Sequence, residues 1–204
     1  MLLEFEEYYV DPRKINQVVR CLQADGTIIY PTDAVYGLGC DIFSKKAVED
    51  ICRIRSLDPR KAMLTFICQD IRQVAEYAVP IDNQVFKLMK KNWPGPVTFI
   101  LRANGEVPKL FKNNKKTIGV RVPENEIAQQ ILQTLGRPIL SLSLKSDDLI
   151  LEYPTDPFEI FEHFQHEVDI VIDGGAGSNV PSAVLDCTGN EVVVVREGVR
   201  EIVW

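Results

Sequence analysis

Two hydrophobic periods take turns along this chain, and that alternation most constrains its fold. Apolar residues three and four apart mark helices; short apolar runs and strict alternation mark strands. Ile15, Val18, Val19 and Leu22 keep helical spacing behind Asp11-Pro12, an N-cap followed by proline at the first helical position, and Gly26 suits the stop. Residues 27–30 then read as a strand. Ser44 caps a second helix with Ala47, Val48, Ile51 and Ile54 on its apolar face. MLTFIC (63–68) has strand length, and Val85, Leu88 and Met89 predict a third helix that ends near Trp93-Pro94-Gly95-Pro96. VTFIL (97–101) and the alternating TIGVRVP (117–123) are strands. Ile127, Ile131, Leu132 and Leu135 form another helical stripe before Gly136, and PILSLSL (138–144) resumes a strand. Asp156-Pro157 repeats the cap-proline signal before Ile160, Phe161 and Phe164, and DIVID, SAVLDC and EVVVVRE close the chain as short strands.

Strands alternating with helices imply βαβ units and a layered α/β domain. The consecutive short strands at 97–122 and 182–196 add antiparallel pairing, so the expectation is a mixed sheet flanked by helices. The chain has 204 residues, 46% of them hydrophobic, and no Pro/Gly/Ser-rich linker, so residues 1–204 read as one domain. MLLEFEEYY is acidic and lacks the basic region of a signal peptide, and no apolar run approaches the length of a membrane span. Five scattered cysteines without a C-x-x-C pair point to reduced thiols and a cytoplasmic protein.

Net charge is −6, unevenly spread: residues 1–122 carry 19 Lys/Arg against 14 Asp/Glu, and residues 123–204 carry 4 against 15. Such asymmetry can mark an anion-binding face on an acidic protein; solvated surface charge is the plainer reading.

Ligands of open α/β sheets gather beyond strand ends. Thr32 and Asp33 lie just past the first such end, and Gly37 and Gly39 would let backbone approach a ligand or turn tightly. In RIRSLDPRKAM (53–63), Arg53, Arg55, Arg60 and Lys61 face one acid, Asp58. A helix end favours cations for its dipole alone, but four of them before a buried strand suit a loop that clamps phosphate or carboxylate. The chain contains neither G-x-x-x-x-G-K-[ST] nor G-x-G-x-x-G after a strand, and DGGAGSN (173–179) reads as a connector. His163 and His166 are spaced to share a metal but have acidic flanks, and a solvated face fits them better. Both histidines lie in one acidic helix, so no Ser/His/Asp arrangement is evident. Cations and hydroxyls dominate the candidates, which fits electrostatic catalysis on phosphate.

YPTDAVYGLGCD, WPGPVTFIL, IGVRVPEN and the closing GG…PSAVLDCTG…VVREG together resemble the YrdC/YciO family, which includes the threonylcarbamoyl-AMP synthases. The likeness runs in unbroken order from about Ile15 to Val203. It implies a YrdC-like fold: a twisted mixed sheet with a large, positively charged concave face. It also implies an activity, the condensation of L-threonine, bicarbonate and ATP, with Mg2+, into threonylcarbamoyl-AMP and pyrophosphate for threonylcarbamoyl modification of tRNA adenosine. Binding of tRNA or double-stranded RNA on the concave face is implied as well. By the same resemblance, Thr32 and Tyr36 match the wall of a threonine pocket and Arg121 a ligand-side arginine. Thr98 lies in a cavity-lining motif, Ser182 and Arg196 match nucleotide-holding positions, and Ser141, Ser143 and Lys145 sit along a substrate-binding strand and its exit.

Two triplets depart from the synthases. Their Lys-x-Arg stands here as Arg53-Ile54-Arg55, and their Ser-x-Asn as Ser143-Leu144-Lys145. The first keeps charge but changes its geometry; the second removes an acceptor. The pattern is similar to the YciO-like branch. In the expected reaction Arg53, Arg55 and Lys61 neutralise carboxylate and phosphate, while magnesium bridges phosphate oxygens. Two alternatives stay open: an RNA-binding protein without synthase activity, whose basic surface includes Lys90, Lys91 and KNNKK (112–116), and a related transfer or hydrolysis of a threonylcarbamoyl product.

Overall fold

The computed structural model describes residues 1–6, 9–58, 65–108, 116–145 and 153–204. The strands are β1 (Leu2–Glu4), β2 (Thr27–Tyr30), β3 (Gly37–Asp41), β4 (Thr65–Ile67), β5 (Val97–Arg102), β6 (Thr117–Arg121), β7 (Ile139–Ser143), β8 (Ile170–Asp173), β9 (Ala183–Asp186) and β10 (Val193–Arg196). The helices are α1 (Pro12–Gln23), α2 (Lys45–Ile54), α3 (Ile71–Ala75), α4 (Asn83–Asn92), α5 (Glu126–Leu135) and α6 (Pro157–Phe164). The ten strands form one mixed sheet in the order β1-β8-β2-β3-β7-β4-β6-β5-β9-β10.

Caps set the helix starts. The side chains of Asp11, Ser44, Asp70, Asp82, Asn125 and Asp156 each accept from a backbone N–H of the first turn. Gly136 ends α5 in the left-handed conformation. At α1 the structure corrects the expected stop. The cap is Ala24, Asp25 takes the positive φ of 61°, and Gly26 is needed for space, since a Cβ there would lie 2.4 Å from Cys21 Sγ.

Two elements carry no clear sequence signal. β1 is three residues long and gains its place by parallel pairing with β8. α3 is five residues long, below the reach of periodicity, and is started by the Asp70 cap. The strand expected at 63–68 is observed over Thr65–Ile67, and the residues before Thr65 lie outside those described, as does KNNKK except Lys116.

The two faces of the sheet are covered unequally. On one, Leu38, Phe66, Phe99, Val120, Leu140 and Leu185 pack with Val48 and Ile51 of α2, Met89 of α4 and Ile160 of α6. On the other, α1 and α5 pack together and cover Ile28, Tyr30, Ile67, Ile139 and Ile172. These two helices reach only part of that face. Because side chains alternate along a strand, Ser141 and Ser143 share the side of Ile139, and Thr65 that of Ile67. Among the described residues no helix covers their part of the face, which floors a cavity of about 400 Å3.

Candidate functional site

Eight strands line this hollow, β2 to β7 with β9 and β10, together with the loop after β2. Thr32, Tyr36, Thr98, Arg121, Ser141, Ser143, Ser182 and Arg196 all border it. The strand patterns explain the convergence. In VTFIL, TIGVR and ILSLS, Thr98, Ile100, Gly119, Arg121, Ser141 and Ser143 alternate with the core-facing residues and turn to the cavity.

Several of these groups are already engaged. Thr32 Oγ1 donates to the Val35 carbonyl at 2.8 Å and accepts from Ala34 N–H at 3.0 Å, so the hydroxyl shapes its own loop. Arg121 pairs with Asp33, and the two side chains are 7% and 8% exposed. Asp33 Oδ2 and Arg121 Nε are buried without a hydrogen-bond partner. The expected ligand-side cation therefore has its charge offset within the protein. Tyr36 donates to Gly175 O at 2.7 Å and accepts from Gly174 N–H at 3.3 Å. A Cβ at Gly177 would fall 2.7 Å from the Tyr36 ring, so the glycine connector at 174–177 fits around this tyrosine. Burial pushes the Tyr36 phenol up to about 12.

At the β5–β9 side, the Thr98 and Ser182 hydroxyls share one hydrogen bond of 3.0 Å. Arg196 donates from Nε and a terminal nitrogen to the Ser182 carbonyl, at 3.1 and 2.8 Å. This guanidinium sits exposed at the rim. The segment after β10 lies so close that a Cβ at Gly198 would meet Ala183 N at 2.0 Å.

The first cationic triplet stays outside the lining. Arg53 pairs with Asp50 at 3.0 Å on the surface of α2, its side chain 66% exposed, as a helix-end cation does. Arg55 donates to the Lys145 carbonyl at 3.1 Å, which ties the end of α2 to the exit of β7. The Lys145 ammonium stands 5.2 Å from the Tyr153 ring centroid. Lys61 lies outside the described residues.

The structure also gives two glycines a packing role and adds two residues. Gly37 and Gly39 are inside β3 rather than in a turn, and Gly37 borders the cavity. A Cβ at either would come within 2.9 Å of the Tyr30 ring, so they make room for that ring to cross the strand. Tyr30 and Thr65 border the cavity, although the sequence assigned neither, and Asp33, noted beside Thr32 at the strand end, supports it. The signal for Thr65 was the polar residue inside MLTFIC; that for Tyr30 was a Gly-x-Gly strand following it.

Among the described residues no group of three or more His, Cys, Asp or Glu side chains could hold a metal ion. No helix there is long and apolar enough to cross a membrane. Burial raises the thiols of Cys40 and Cys68, which removes thiolate character from both.

The family model Sua5_yciO_yrdC, described as "Telomere recombination", matches residues 20–198. The chain belongs to this family. Escherichia coli YciO, named an uncharacterized protein, is 44% identical over 201 residues covering 96% of each chain, and its crystal structure superposes with a TM-score of 0.92 over 99% of this chain and 97% of that one. A Coxiella burnetii threonylcarbamoyl-AMP synthase is 31% identical over 183 residues, 89% of this chain and 96% of the synthase. The crystal structure of P. abyssi Sua5 complexed with L-threonine matches with a TM-score of 0.87 at 27% identity, covering 97% of this chain and 57% of that one. The family's fold is thus the fold of this chain, and its relatives include proteins named threonylcarbamoyl-AMP synthase.

Proposed function

We propose that the cavity is the substrate site of a threonylcarbamoyl-adenylate enzyme. The observation that carries this reading is the meeting of eight separately encoded residues, from Thr32 to Arg196, around one hollow. The likeness to a Sua5 that binds L-threonine supports it. In the synthase direction, the threonine amine takes up carbon dioxide from bicarbonate as a carbamate. The carbamate oxygen attacks the α-phosphorus of ATP, and pyrophosphate leaves. Arg196 steadies phosphate oxygens at the rim, and the Ser182 and Thr98 hydroxyls orient the nucleotide beside it. Ser141 and Ser143 meet the amino-acid end. Catalysis then comes from alignment and charge neutralisation, with no covalent protein intermediate.

Among the described residues, the polar side chains on the cavity wall are hydroxyls and the guanidinium groups of Arg121 and Arg196, and the nearby Asp33 carboxylate is committed to Arg121. That set does not fit a resident divalent cation, which prefers several oxygen ligands including free carboxylates. No step here is routed through magnesium. The test is pyrophosphate release from ATP that requires both threonine and bicarbonate; folded protein that releases none removes the synthase direction.

A second reading uses the same pocket to transfer or hydrolyse a ready-made threonylcarbamoyl group. The outward position of Arg53 favours it, because one cation of the synthase triplet is then missing from the cavity wall. Mass spectrometry of the products from supplied threonylcarbamoyl-AMP separates the two directions.

A further inference from the structure

One contact on the cavity floor has no part in the steps above. Tyr30 closes β2, and its phenol donates to Ser141 Oγ on β7 at 2.8 Å. β3 lies between those two strands. The ring passes over it only because Gly37 and Gly39 carry no Cβ. Tyr30 is fully buried, and burial pushes its phenol up to about 12, so it remains a donor at ordinary pH. A serine whose oxygen already accepts from a phenol still has its own proton to give. Ser141 lies at the cavity wall, so the cavity is where that proton is offered. Thr65 is directly opposite Ser141 in the β4–β7 register and lines the same hollow. On its other side Thr65 is paired with Gly119, which adds no side chain to screen it.

We propose that Ser141 and Thr65 form a two-hydroxyl subsite for an acceptor oxygen of the substrate, a carboxylate or carbamoyl oxygen, with Tyr30 as the positioning residue behind Ser141. This rests on the reading of the cavity as the ligand site. Hydroxyls in series polarise one another, so donation from Tyr30 makes Ser141 the better donor. Such a subsite holds an oxygen anion without a cation, in a floor where Arg121 is already paired with Asp33.

The relay is tested first without a ligand. In Ser141→Cys the Tyr30 phenol would donate to sulfur and stabilise the thiolate. Alkylation of the introduced thiol by iodoacetamide is followed against pH by peptide mass spectrometry, which separates it from the native thiols. Adding Tyr30→Phe is expected to raise the midpoint by about one pH unit; an unchanged midpoint overturns the relay. Next, L-threonine is titrated calorimetrically into wild type, Tyr30→Phe, Ser141→Ala, their double variant and Thr65→Val. Each single change is expected to weaken binding about tenfold, and the double variant to bind no more weakly than Ser141→Ala alone. Additive losses, or wild-type affinity in Thr65→Val, overturn the proposal. Wild-type protein that takes up no L-threonine overturns the functional reading instead, while the thiol experiment still decides the relay.

Discussion

The Asp33 carboxylate, in the loop after β2, pairs with the guanidinium of Arg121 at the end of β6, with three strands of the sheet between β2 and β6. The pair is buried, so removing one partner strands the other charge in a poorly solvated place. Asp33→Ala is expected to lower unfolding free energy by about 3–5 kcal/mol. Asp33→Ala/Arg121→Met should cost clearly less than the two single losses added. Urea denaturation of the four proteins measures both quantities; a loss below about 1 kcal/mol in Asp33→Ala would contradict the pairing.

Gly37 keeps β3 low enough for the Tyr30 ring. Gly37→Ala places a methyl 2.8 Å from Tyr30 Cε1 and 2.9 Å from Ser141 Oγ. The expected cost is about 1–3 kcal/mol, the range for an overpacked core. The backbone itself is tolerant here, because β3 is an ordinary strand. The penalty should therefore shrink when Tyr30→Leu removes the ring, and a double-mutant cycle of denaturation midpoints reads that coupling.

Arg196 and Arg53 separate a cavity cation from a surface one. Arg196→Ala should weaken ATP binding ten- to a hundredfold, about 1.5–3 kcal/mol for charge-assisted hydrogen bonds to phosphate. Arg53→Ala removes an exposed ion pair with Asp50 and should change both ATP affinity and stability by little, within about 0.5 kcal/mol. Isothermal titration with ATP compares them directly. Equal losses in the two variants would place Arg53 at the ligand after all.

The buried phenols set an alkaline limit. Burial pushes both Tyr30 and Tyr36 up to about 12. In the unfolded chain a tyrosine ionises near 10, so above that pH the unfolded state sheds a proton that the folded state keeps. Stability from each is whole below about pH 10 and is lost as pH rises toward about 12, on the order of 2–3 kcal/mol apiece. Tyr36→Phe should flatten the fall of the urea midpoint across that window. An unaltered slope would show that Tyr36 ionises freely in the folded protein.

Much of this arrangement was legible in the sequence because it depends on local chemistry. The Asp11, Ser44 and Asp156 caps were readable since a cap needs only one side chain and the next turn. The alternation in TIGVRVP marked a strand because strand period is fixed at two. What stayed hidden depends on which strands become neighbours. Asp33 reads as a polar loop residue until β6 is known to end beside it. Gly37 and Gly39 read as turn or ligand glycines until Tyr30 is seen to cross β3 on its way to β7. Arg53 looked like part of an anion clamp because sequence gives its charge without the side of α2 it occupies.

The unequal cover of the sheet separates two kinds of change. Along β5, β6 and β7, Phe99, Val120, Leu140 and Leu142 secure the helix-packed side, while Thr98, Gly119, Ser141 and Ser143 between them border the hollow. A swap among serine, threonine and glycine in the second group alters what the hollow accepts and leaves the packed layer intact. One scaffold can thereby drift between chemistries by single replacements that spare the helix-packed layer, so long as the residues pointing the other way are kept.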